Sequence, residues 1–69
     1  MKISARNVFK GKVIEIEKGA VNGIVKIDIG NGIIITSSIT NNAIEELGLE
    51  VGKDASAIIK ASNVMIGVE

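Results

Sequence analysis

The sequence predicts an all-β fold: a small five-stranded barrel with one short helix between its third and fourth strands. Three observations carry that reading. Isoleucine and valine alternate with polar residues at period two in several segments, as in strands that bury one face. Glycine- and asparagine-rich breaks separate those segments. A chain of 69 residues has little core, so an Ile/Val-rich sheet must protect its edges, and barrel closure removes them.

Taken in order, Lys12 to Lys18 places Ile14 and Ile16 on one face and Glu15 and Glu17 on the other. Gly19-Ala20-Val21-Asn22-Gly23 follows, a turn whose glycines allow a tight reversal. Ile24 to Ile29 is the second strand, with Val25, Ile27 and Ile29 facing one way. Gly30-Asn31-Gly32 is the strongest turn signal, since all three tolerate positive φ. It leads into a third strand, Ile33 to Ile39, antiparallel to the second. The only helical spacing comes next, from Ala43, Ile44 and Leu47. Asn42 with Glu45 reads as a capping box there, and Gly48 ends the helix. Asp54 to Lys60 forms the fourth strand, and the alternation of Val64, Ile66 and Val68 predicts a fifth. Residues 1–69 make a single domain with no linker or repeat, in the order of an OB-type barrel.

Composition narrows the function. With no cysteine and no histidine, neither disulfides nor a structural zinc site can support so small a core. Oligomerisation is the remaining device, and a 46% hydrophobic content assigns part of the apolar surface to subunit contacts. Eight basic residues balance eight acidic ones, so no broad positive field draws in nucleic acid or an anionic membrane. Phe9 is the one aromatic residue, which removes the stacking platforms of single-strand binders. No apolar run reaches a membrane span and no signal-peptide pattern opens the chain, so a cytoplasmic location is expected.

Catalytic constellations are missing as well. There is no Tyr, no phosphate-binding loop and no carboxylate cluster at metal-ligand spacing, and Glu45-Glu46 diverge by about 100° on a helix. What remains is a set of donors near strand ends. Ser4 and Arg6 share a face of an extended segment, offering a hydroxyl and a guanidinium fork. Lys60 closes the fourth strand, and Thr40 sits where the helix begins. Donors without acceptors suit a tetrahedral oxyanion that must exchange its hydration shell for protein hydrogen bonds. Each residue also has a plainer reading: Arg6 as a surface charge, Lys60 as protection for a strand end, Thr40 as an N-cap.

Met1-Lys2-Ile3-Ser4-Ala5-Arg6-Asn7, running on to Lys10-Gly11-Lys12-Val13, closely resembles the opening of the molbindins. These Mop-family proteins are TOBE-type molybdate-binding domains, also found appended to molybdate-responsive regulators and transporter ATPases. The likeness continues through Lys18 to Asn22, Ile39 to Leu49, Val51-Gly52-Lys53 and Ile58 to Met65. The resemblance implies a homohexamer that binds molybdate or tungstate between subunits, as storage and homeostasis of molybdenum require, with no enzymatic activity. It places Ser4, Arg6, Lys60 and the Ala61 backbone on one side of an oxyanion site, and Thr40 with Ala43 of a neighbouring subunit on the other. The family often carries serine where this chain has Ala43, so that wall has one hydroxyl fewer. A second class of site is implied near three-fold axes, at Lys18, Gly19, Ala20, Val21 and Asn22. Two alternatives stand beside this: an OB-type nucleic-acid binder, and a molybdate-sensing interaction module.

Overall fold

The alternating segments condense into four antiparallel strands, β1 (Asn7–Lys18), β2 (Asn22–Asp28), β3 (Ile34–Thr40) and β4 (Asp54–Ile59). A six-residue helix α1 (Asn41–Glu46) lies between β3 and β4, and a 3-10 turn (Ala61–Asn63) follows β4. This is a computed structural model describing residues Met1–Glu69. The sheet order is β3-β2-β1-β4, so the long β1 has two partners. Its first half pairs with β4, from Asn7 opposite Ile59 to Lys12 opposite Asp54. Its second half pairs with β2, from Lys12 opposite Asp28 to Lys18 opposite Gly23. The sheet thereby curls into an OB-like half-barrel around Val13, Val25, Ile27, Ile44 and Ala57.

Two local devices make that curl. Gly11 sits where β1 changes partners, and any Cβ there would run into the Asp28 carbonyl oxygen. The register between β1 and β2 slips between Val13 and Glu15, a bulge that sharpens the bend. The bulge corrects the simple alternation expected for β1. Ile14, the extra residue, turns outward, while Val13 is buried and Ile16 packs against the core, three positions apart instead of two. Of the expected inward set, Val25 and Ile27 are buried in β2, and Ile29, just past the strand, is partly buried against the core.

The turns follow their chemistry. Gly30, Asn31 and Gly32 all have positive φ, and Asp28 Oδ1 accepts from the Gly30 N–H at 2.8 Å. At α1 the capping box is not formed: Thr40 is the N-cap, its hydroxyl accepting from the Ala43 N–H at 3.1 Å, and Glu45 turns to Lys18. Threonine wins because its hydroxyl lies within reach of the orphan N–H from an extended backbone. The helix ends on Gly48 at φ +63°, where the Gly48 and Leu49 N–H groups donate to the Glu45 and Ile44 carbonyls. That bonding pattern also brings Leu49 onto Ile44 and the core.

The fifth strand is not formed. Val64, Met65, Ile66 and Val68 lie outside any strand and are exposed, Ile66 at 88% and Val68 at 95%. Within one chain β3 and β4 therefore stay apart, leaving an open, mostly apolar cleft of about 390 Å³ between them, lined by residues that include Ile35, Ile39, Leu49 and Ile59. The alternating valines and isoleucine read as a strand because the pattern records which faces want burial, not whether a partner strand is at hand.

Replacing Gly11 by alanine is expected to lower stability by about 1–3 kcal/mol, since strand backbone must move to admit the methyl group. Gly67→Ala meets nothing nearby and is expected to leave the thermal unfolding midpoint unchanged.

Candidate functional site

The antiparallel pairing of β1 with β4 brings two distant segments together. Asn7 is opposite Ile59, and the Asn7 side-chain amide donates to the Ile59 carbonyl at 3.1 Å. Ser4 and Arg6 lie just before this pair on one strand, and Lys60 and Ala61 just beyond it on the other. Lys60 has extended backbone, and its carbonyl accepts from the Asn63 N–H at 2.8 Å as the chain enters the 3-10 turn. All four of these residues are exposed.

Charge is distributed unevenly over this neutral chain. Lys12, Lys18, Lys26 and Lys53 each meet a carboxylate, those of Asp54, Glu45, Glu15 and Glu50. Arg6 and Lys60 meet none, and neither do Lys2 and Lys10. Two of the four uncommitted cations, Arg6 and Lys60, fall at the β1 start and the β4 end. The result is a positive pole with free donors and no acceptor carboxylate paired to it, the requirement for taking an anion out of water.

Thr40, Ala43 and the Lys18–Asn22 turn assemble at the other end of β1. Thr40 pairs with Asn22 across β2 and β3. The Asn41 N–H donates to the Val21 carbonyl at 2.8 Å, and the Asn41 side-chain amide donates to the Gly19 carbonyl at 2.9 Å. Thr40 Oγ1 spends a lone pair on the Ala43 N–H, which leaves its own O–H proton as the free group. The Ala43 N–H is committed to that cap. Sequence reasoning gave Asn41 no role, although it holds these segments together; an asparagine directly after an N-cap threonine was the available signal.

β1 runs twelve residues, with Ser4, Arg6, Lys60 and Ala61 beside its start and Thr40, Ala43 and the Lys18–Asn22 turn beside its end. No group of three or more His, Cys, Asp or Glu gathers to hold a metal cation, and no helix is long and apolar enough to cross a membrane.

Lys18 also holds Glu45. Its ammonium lies 2.8 Å from Glu45 Oε1, and this hydrogen bond, with the accompanying charge attraction, keeps the Glu45 carboxyl below its ordinary value of 4.5. Because the folded-state value is depressed, the pair supports the fold above pH 4.5 and stops doing so as pH falls through the lowered value. Lys18→Met is expected to return the Glu45 titration to its ordinary range, read from its side-chain carboxyl resonance.

Comparison with known proteins identifies the family. The TOBE domain matches residues 3–66. The chain is 62% identical over 69 residues to the probable molybdenum-pterin-binding protein of Haemophilus influenzae, covering 100% of both chains. Among solved structures, MopII from Clostridium pasteurianum superposes with a TM-score of 0.91 at 43% identity, covering 97% of this chain and 100% of that one. ModG, described as a cytoplasmic molybdate-binding protein with molybdate bound, gives 0.95 at 51% identity, covering 100% of this chain and 49% of that one. The chain belongs to the TOBE domain family and, within it, to the molbindins.

Proposed function

We propose that this protein binds molybdate, or its larger congener tungstate, as an intact oxyanion between copies of the chain. It serves intracellular storage and homeostasis of molybdenum in the cytoplasm and performs no chemistry on the ion. The observation that carries this reading is the pair Arg6 and Lys60, two cations without a carboxylate partner at the adjoining ends of β1 and β4. Molybdate and tungstate carry two negative charges on four outward oxygens, so a guanidinium fork, an ammonium and the Ser4 hydroxyl supply matching donors.

The named relatives are molybdenum-pterin- and molybdate-binding proteins, and the chemistry of this chain favours the oxyanion over a pterin ring. A pterin calls for a flat aromatic surface, and Phe9 is the one aromatic residue. Assembly into a homo-oligomer, a hexamer on the family pattern, supplies the second wall. Thr40 and Ala43 of one copy approach Ser4, Arg6, Lys60 and Ala61 of another. Exposed apolar surface supports that assembly, since the Val64–Val68 segment and the cleft between β3 and β4 lack partners within one chain.

Titration calorimetry with molybdate, with sulfate as the control, tests the reading alongside mass in solution by light scattering. Micromolar or tighter binding of molybdate by an oligomer, with sulfate silent, is expected. Arg6→Ala and Lys60→Met are each expected to weaken it roughly 10- to 100-fold, the effect of losing a charge-assisted hydrogen bond. Glu46→Ala serves as the control, because Glu45 holds Lys18. A monomer that binds neither ion, or equal affinities in Arg6→Ala and Glu46→Ala, overturns the proposal.

A further inference from the structure

We infer that Asn31 is a site of spontaneous chemical modification, at which the folded chain loses a side-chain amide to water and gains a carboxylate. Asn31 precedes Gly32 in the turn between β2 and β3. An asparagine followed by glycine is open to attack by the next backbone nitrogen, because no side chain shields that nitrogen. Three observations leave this one unguarded. Asn31 and Gly32 are both exposed. The Asn31 side chain and the Gly32 N–H form no hydrogen bond within the chain. The backbone also has room to rotate: Asn31 at φ +54° stands between Gly30 at +101° and Gly32 at +75°, and a Cβ placed at either glycine would meet nothing within 4 Å.

In the reaction the Gly32 nitrogen gives its proton to hydroxide and bonds to Asn31 Cγ. The Cγ–Nδ2 bond breaks, and ammonia departs with a proton from water, which returns the hydroxide and leaves a cyclic succinimide. Water then opens the ring at either carbonyl. The net change is asparagine plus water to ammonia plus aspartate, or plus isoaspartate, in which the chain runs through the side-chain carbonyl. Either product adds a negative charge to a neutral chain. Isoaspartate also lengthens the backbone inside the turn that the Ile33 N–H closes on the Gly30 carbonyl at 3.0 Å. The other Asn-Gly pair, Asn22-Gly23, is an internal control. It lies within β2, and Gly23 is buried and paired with Lys18 on one side and Ile39 on the other. Closing a succinimide there requires Asn22 to rotate out of the ladder, so the strand must open first. A sequence rule treats the two pairs alike, and the fold separates them.

The test incubates the folded protein in mildly alkaline buffer beside a guanidinium-unfolded sample and reads peptides cut after lysine by tandem mass spectrometry. Cuts after Lys18, Lys26 and Lys53 place Asn22 and Asn31 in separate peptides. In the folded protein Asn31 is expected to lose its amide at least about tenfold faster than Asn22, and in the unfolded sample the two rates are expected to lie within about threefold. Both aspartate and isoaspartate are expected at residue 31. Asn31→Gly accepts the same backbone conformation and is expected to keep its starting charge in isoelectric focusing, while the wild type acquires a more acidic species. An intact Asn31 in the folded protein, or equal rates at Asn22 and Asn31 there, overturns the inference. So does aspartate without isoaspartate, which would mean direct hydrolysis, or a gap between the two sites that persists on unfolding.

Discussion

Everything in this small protein depends on β1 changing partners halfway along its length. With Gly11 at the crossing and a bulge at Ile14, one strand pairs with β4 and then with β2, so a four-stranded sheet can wrap around a five-residue core. The same crossing fixes where the functional groups go. Whatever precedes Asn7 emerges beside whatever follows Ile59, and whatever follows Lys18 emerges beside the end of β3. The two ends of β1 are thereby two different chemical surfaces, one cationic and one built from backbone and hydroxyl donors.

Charge pairing reinforces the division. Along the body of the sheet and near the helix, lysines are matched with carboxylates at 2.6–3.6 Å. Exposed pairs of this kind add little stability, about 0–1 kcal/mol each. Their effect here is to neutralise the cations that would otherwise compete for an anion, leaving Arg6 and Lys60 with Lys2 and Lys10 as the uncommitted ones. A chain with zero net charge can in this way hold a local positive pole without attracting polyanions to its whole surface.

The second half of β1, strands β2 to β4, the two hairpins and the helix position were legible in the sequence because each rests on a short-range signal: alternation in Val25, Ile27 and Ile29, the triple positive-φ turn at Gly30 to Gly32, and Gly48 as a stop. The Asn7–Gly11 half of β1, which pairs with β4, lacks such alternation and was not legible. What was not legible depends on geometry between elements. The bulge at Ile14 is invisible to a period-two count, because the count assumes an unbroken ladder. Val64 to Val68 has strand periodicity and no strand, since its apolar residues have no partner within one chain. The expected capping box gave way to Thr40, two residues before Asn42, whose hydroxyl reaches the Ala43 N–H, while Glu45 pairs with Lys18 across 27 residues of sequence. At the site, Ser4, Arg6, Thr40 and Lys60 could be named from donor chemistry and family resemblance. Asn41 could not, because its hydrogen bonds to the Gly19 and Val21 carbonyls depend on how the β1–β2 turn meets the start of α1.

On the proposed function, the unfinished barrel and the divided site are one property. The chain leaves apolar surface uncovered at Val64, Met65, Ile66 and Val68 and in the cleft between β3 and β4, and burying such area is worth about 25 cal/mol per Å². Association is therefore driven by the surface a small core cannot cover, and it also joins the Arg6–Lys60 pole of one copy to the Thr40 wall of another. An ion bridging the two walls binds the assembled state and not the isolated chain, so by mass action it stabilises the assembly that created its site. The specificity of such a site is set by the fit between rigid strand ends, since neither half alone carries enough donors to replace a dianion's hydration shell. A protein with one aromatic residue, no histidine and no cysteine can then recognise an oxyanion with backbone, hydroxyls and two well-placed cations.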